Sequence, residues 1–146
     1  MKLYTIGFAK KRAEVFFELL RQHNVQRLVD IRLNPNGQLS GFAKKDDLPY
    51  FLSKLVAGCM YVHLPDLAPT KEILDDYRLD ANWLRYLARF EALMDERRIP
   101  EVLNKIEFEM LTSCLLCSEP TPELCHRRLV ADRLAAGWPG VEVIHL

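Results

Sequence analysis

Residues 111–146 read LTSCLLCSEPTPELCHRRLVADRLAAGWPGVEVIHL, and this stretch decides the fold. Leu111 to Cys117 is a short, largely apolar run of strand length. Thr121 then has the chemistry of a helix N-cap, and Pro122 suits the first helical position, where its missing N–H has no intrahelical partner to lose. The spacing predicts a helix to about Ala136, ended by Gly137, and a last strand over Val141–Leu146. A strand, a helix and a strand in so short a stretch imply a crossover between parallel strands rather than a hairpin.

The same alternation extends upstream. Strands are expected at Lys2–Ile6, closed by Gly7, at Arg27–Ile31, and at Met60–Leu64, halted by Pro65. Helices are expected from about Lys11 to Asn24, from Leu48 to Val56 with Pro49 in the first turn, near Thr70–Tyr77, and over Asn82–Arg98, where Trp83, Leu87, Phe90 and Met94 recur at helical spacing. Pro100 stops that helix and opens a short one to Phe108. Asn34, Pro35, Asn36 and Gly37 mark a loop from Arg32 to Gly41. The pattern predicts one three-layer α/β domain over residues 1–146, with a mostly parallel sheet of about five strands and helices on both faces. In such sheets ligands bind outside the carboxyl ends of the strands. That rule selects Gly7, Phe8, Asp30, Arg32, Leu64, Pro65, Cys117 and Glu119.

Composition narrows the function classes. The chain has 146 residues, 49% hydrophobic, and its 20 basic and 20 acidic residues cancel. The net charge therefore gives no general argument for nucleic acid or for a membrane surface. No apolar run is long enough for a signal peptide or a membrane span, so the expected location is the cytoplasm. There, Cys59, Cys114, Cys117 and Cys125 are expected as free, ligating or catalytic thiols rather than disulfides. No cofactor motif stands out, and no oligomeric state is assigned.

Two segments carry chemistry. In the first, Cys117 ends a strand, Glu119 lies in the loop, and Cys125, His126 and Arg127 enter the next helix. A thiol near a helix N-terminus is biased toward the thiolate. On a wheel of about 100° per residue, Leu129, Val130 and Leu134 define the buried arc, and His126 falls within it. Arg133 does so too, as a snorkelling or paired arginine. Three readings compete. Cys114, Cys117, Cys125 and His126 superficially have zinc spacing, but Cys114 and Cys117 face opposite sides of a strand, and adjacent Cys125 and His126 diverge on a helix. A thiol phosphatase needs an arginine at a fixed short distance beyond its thiolate, where this chain offers Glu123 or Ala131. The third reading makes Cys117 or Cys125 a nucleophile or redox thiol with His126 as base, Asp30 or Glu119 orienting the partners, and Arg32 and Arg127 binding an anion. The bland alternatives are a small buried thiol and a satisfied core histidine.

The second segment is Asp30-Ile31-Arg32, whose two charges point to one face. It reads equally as an ion pair tethering the loop and as an anion site in which Asp30 orients Arg32. Gly7 would let a ligand approach the backbone. Phe42, beside Lys44 and Lys45, would meet a nucleotide or pack a flap. His63, near the end of the third strand, is a further ligand-binding candidate.

Taken in order, Thr5-Ile6-Gly7, Asp30-Ile31-Arg32 with Pro35, Phe42, Tyr61 with His63 and Leu64-Pro65, and Leu116-Cys117-Ser118-Glu119 through Cys125-His126-Arg127 resemble the family of domains of unknown function DUF488. The resemblance spans nearly the whole chain. It implies a small α/β domain with a polar site at Asp30, Arg32, Cys117, Glu119, Cys125, His126 and Arg127, but no established reaction. Two departures stand out. Ala9 replaces a frequent serine, and Leu67-Ala68-Pro69 replaces a Leu-Gly-Gly turn. The leading expectation is an enzyme acting on an anionic small molecule or a nucleic-acid-like ligand. The alternative is a non-catalytic module binding nucleotide, nucleic acid or protein, with structural cysteines.

Overall fold

In the computed structural model, which describes residues 1–146, five parallel strands form one sheet: β1 (Lys2–Gly7), β2 (Arg27–Asp30), β3 (Met60–His63), β4 (Ser113–Cys117) and β5 (Glu142–His145), in the order β3-β2-β4-β1-β5. The helices are α1 (Ala13–Gln22), α2 (Leu48–Leu55), α3 (Lys71–Asp80), α4 (Trp83–Glu96), α5 (Lys105–Met110) and α6 (His126–Gly137). Short 3-10 turns lie at Gln38–Ala43 and Pro65–Leu67.

Strand alternation sorts side chains into two cores. Tyr4, Ile6, Leu28, Cys114 and Leu116 pack under Phe16, Phe17 and Leu20 of α1 and Leu48 and Leu52 of α2. Leu3, Val29, Ile31 and Leu115 pack on the opposite face under Ile73 of α3, Phe90 and Met94 of α4, and Leu129, Val130 and Leu134 of α6. The three layers follow directly. Both faces of β4 are covered, which is why it reads as a continuous apolar run.

The sheet order also makes a crevice. Adjacent strands β1 and β4 send their chains opposite ways, β1 through α1 toward β2 and β4 through α6 toward β5, on opposite faces of the sheet. Such a reversal leaves room beyond the strand ends.

Several boundaries differ from the sequence reading. Helix α6 starts at His126, not at Pro122. Residues 121–125 instead turn, with the Cys125 N–H donating to the Pro122 carbonyl at 3.3 Å. The N-cap is Cys125, with φ −136° and ψ 136°, which is extended backbone. The Thr121-Pro122 signal is thus overridden by where Cys125 has to sit. The helix expected from Pro100 is α5, shifted to Lys105–Met110, and residues 38–43 form 3-10 turns kinked at Gly41, whose φ of 53° suits glycine.

Candidate active site

At the end of β4, two hydrogen bonds continue the main-chain lacing past the strand: the Phe8 N–H donates to the Cys117 carbonyl and the Ala9 N–H to the Ser118 carbonyl, at 3.3 and 2.9 Å. The chain then folds over Gly7 so closely that a Cβ there would lie 1.6 Å from the Glu119 carbonyl oxygen. Gly7 is therefore required by the protein's own backbone; the approach expected of a ligand is made by Glu119.

Cys117, Cys125, His126 and Arg127 come together here, all buried, with Arg127 at 0% exposure. The ligating atoms of Cys117, Cys125 and His126 lie within 4.8 Å of one another. The expected divergence of Cys125 and His126 does not occur, because Cys125 is extended rather than helical and its sulfur turns back toward Cys117. Cys114 does face the other way, into the core under α1.

Hydrogen bonds fix the imidazole. Nε2 of His126 lies 2.8 Å from the Ile31 carbonyl, which can only accept, so Nε2 carries a proton. Nδ1 then meets Cys117 Sγ at 3.4 Å. One proton is shared on that line, as S–H···N or as thiolate and imidazolium. Phe90 packs edge-on against the ring.

Arg127 supplies charge from behind. Nη1 donates to the Glu119 carbonyl at 2.5 Å and to Cys125 Sγ at 3.6 Å, and Nε donates to Thr5 Oγ1 at 3.3 Å. The Thr5 hydroxyl in turn is hydrogen-bonded to His145 Nδ1 at 2.7 Å. Nη2 has no partner and no carboxylate pairs with the guanidinium, unlike buried Arg27 with Glu107 and buried Arg32 with Asp30. Burial and the Arg127 charge push the pKa values of Lys11 and His145 down.

The thiols respond in opposite directions. Burial alone would raise Cys117, but the Cys125 thiol, the Ser118 and Glu119 N–H groups and the Arg127 charge outweigh it, and its pKa falls below the ordinary value. The neighbouring Cys117 and burial push the pKa of Cys125 up. Burial raises Cys114 strongly and Cys59 to about 11.

The other sequence candidates distribute unevenly. Asp30 is fully buried and accepts from Arg32 Nε and Nη2 at 2.8 and 2.7 Å and from the Tyr61 hydroxyl at 2.6 Å. Arg32 Nη2 also donates to the Ala43 carbonyl, leaving Nη1 with only a 3.5 Å contact to Ser40. This cluster is the loop-tethering ion pair. It lies on the α1 side of β2, whereas Ile31 and His126 lie on the α6 side. The Glu119 carboxylate makes no hydrogen bond, so the orienting role expected of it falls to its carbonyl. Phe42 is a packing residue among Phe8, Phe16 and Phe17. His63 braces the loop by donating from Nε2 to the Arg32 carbonyl at 2.7 Å. Neither Phe42 nor His63 lines the cavity above the cysteines.

That cavity encloses about 870 Å³ between the 32–40 loop, α3, α4 and the 117–126 segment. Cys117, Cys125 and His126 form its floor, and Phe8, Leu74, Tyr77, Tyr86 and Leu124 supply apolar wall. Arg32 and Glu119 are among its charged edges. Tyr86, 4% exposed, makes no hydrogen bond with its hydroxyl, and burial and the nearby thiols push its pKa up. Sequence reasoning missed Tyr86: it sits on the helical stripe between Trp83 and Phe90, where an aromatic reads as core.

The sequence pattern of the family described as Domain of unknown function DUF488 matches residues 12–134. The chain belongs to this DUF488 family. No curated protein and no solved structure matches it. Membership in DUF488 carries no reaction, so the chemistry rests on the residues. The Cys117, Cys125 and His126 trio has the spacing of a three-ligand cation site. A dication there would be neutralised by the two thiolates that bind it and would leave Arg127 without a counter-charge, whereas a single thiolate balances it.

Proposed function

We propose that this DUF488 protein is a thiolate enzyme in which Cys117 is the nucleophile and the cavity above it takes an organic substrate with an anionic or polarised head. The observation that carries this reading is Arg127, a fully buried guanidinium with no carboxylate partner. A buried charge needs a counter-charge. The acidic side chains of the cluster itself are thiols, and Cys117 is the one that meets a base, His126 Nδ1 at 3.4 Å, and whose pKa is lowered.

The roles follow from position. His126, anchored by the Ile31 carbonyl, gives and takes the proton at Cys117 Sγ. The Ser118 and Glu119 N–H groups and the Cys125 thiol lower the Cys117 pKa and so favour its thiolate. Arg127 sits behind the sulfurs and sets the field rather than touching substrate. Arg32 offers its Nη1 edge to an anionic group at the cavity wall, with Asp30 holding the guanidinium in place. A packing role for the thiols would leave Arg127 unbalanced, which weighs against a purely non-catalytic module.

The test is the alkylation rate of each cysteine against pH, read by peptide mass spectrometry. A lowered pKa keeps the thiolate present as pH falls below the usual value of about 8.5, so Cys117 should react fastest and inflect below that value. Iodoacetate should gain on iodoacetamide at Cys117 relative to a free thiol, because the reagent carries the charge the cavity is proposed to accept. An inflection for Cys117 at or above the usual value defeats the proposal.

A further inference from the structure

We infer that Cys117 and Cys125 form a two-electron dithiol–disulfide couple that reduces an organic hydroperoxide; the inference rests on the Cys117 thiolate proposed above. The argument begins with what discharges Cys117 after it has reacted. A second thiol, Cys125, stands within the same 4.8 Å cluster. Once Cys117 has reacted, His126 Nδ1 is free to act as a base, and the Cys125 thiol already stands within 4.8 Å of it, whereas a water molecule has no side-chain carboxylate hydrogen-bonded into the cluster to hold it in place. Closing a sulfur–sulfur bond is also mechanically simple. Cys125 lies outside α6 at the end of a turn, so the sulfurs can meet without moving a strand or a helix.

Access selects the substrate. Cys117 is 4% exposed at the cavity floor. A slim terminal atom reaches it, whereas a disulfide flanked by carbon on both sides does not. The distal oxygen of a hydroperoxide is such an atom. The wall of Phe8, Leu74, Tyr77, Tyr86 and Leu124 suits an organic tail.

The chemistry balances in three steps. The Cys117 thiolate attacks the distal oxygen, the O–O bond breaks, and the departing alkoxide takes the proton from His126 Nδ1 and leaves as alcohol; Cys117 becomes a sulfenic acid. The Cys125 thiol passes its proton to His126 and attacks the Cys117 sulfur. Hydroxide leaves, recovers that proton as water, and the disulfide forms. A dithiol reductant then exchanges with the disulfide, restores both thiols and departs as its own disulfide.

The full-length protein, reduced and freed of excess reductant, is treated with cumene hydroperoxide without oxygen and mapped by mass spectrometry. A Cys117–Cys125 disulfide is expected with about one equivalent of peroxide consumed, and dithiothreitol should restore both thiols. Cys125→Ser and, independently, Cys125→Ala should stop at the sulfenic acid, trapped by dimedone at Cys117 at least tenfold more than in the unsubstituted protein. If Cys117 alkylates as a low-pKa thiol but no disulfide forms, or dimedone traps it equally in all three proteins, the redox inference falls and the thiolate reading stands. An ordinary alkylation profile overturns both. So does a zinc ion, one per chain, that shields both thiols until a chelator removes it.

Discussion

Two buried arginines stand at the carboxyl edge of the same sheet, and their surroundings differ in one respect. The Arg32 guanidinium is held by Asp30 through two hydrogen bonds and by the Ala43 carbonyl. Tyr61 fills a remaining site on the carboxylate. Arg127 has a carbonyl, a hydroxyl, a sulfur and one nitrogen with no partner. The first cluster is electrically closed and pins a loop. The second is open and leaves the compensation to a thiol that can gain or lose a proton. Charge balance, rather than burial or residue type, is what distinguishes the two clusters.

The largest expected effect breaks the closed cluster. Asp30→Asn leaves the Arg32 charge buried and unpaired and should cost about 3–5 kcal/mol, read as a lower unfolding midpoint in urea. Next comes Gly7→Ala, whose Cβ collides with the Glu119 carbonyl. It should cost about 1–3 kcal/mol and slow Cys117 alkylation by displacing the 117–119 backbone.

The open cluster is probed by coupling. In a double-mutant cycle of Cys117→Ser and Arg127→Met, the pair should show an interaction of about 1 kcal/mol or more, and Arg127→Met alone should move the Cys117 alkylation inflection upward. Absent coupling would mean that Arg127 is not balanced by that sulfur, and the comparison would fail. A comparison of two tyrosines ends on the smallest effect. Tyr61→Phe removes a donor to a buried carboxylate and should cost about 1.5–3 kcal/mol. Tyr86→Phe removes a hydroxyl without a hydrogen bond and should stay within about 0.5 kcal/mol.

Much of this was legible in the sequence. Period-two and period-3.6 patterns place all five strands and the helices of both layers, and the strand-end rule picks out Asp30, Arg32 and Cys117. Helix α6 was misplaced at its start because Thr121 and Pro122 are locally good capping residues, and only the tertiary pull of Cys125 toward Cys117 and Arg127 displaces the start to His126. On a helix begun at Pro122, Cys125 and His126 would diverge; with Cys125 extended they converge. Phe42 and His63 carry chemistry in type but are absorbed by an aromatic cluster and a backbone brace. The missing carboxylate beside Arg127 is invisible to sequence, because an absence of partners exists only in three dimensions.

The crowding at Gly7 bears on how a mutational scan of this protein would be interpreted. Position 7 would score as intolerant of nearly every side chain, beside Cys117 and His126, and would be grouped with them as a contact for substrate. Its intolerance would come from the main chain of Glu119 lying where a side chain would start. Sensitivity to substitution marks this position as part of the scaffold that carries the sulfur, while the exposed carboxylate of Glu119 itself, facing the cavity, would tolerate change without loss of fold.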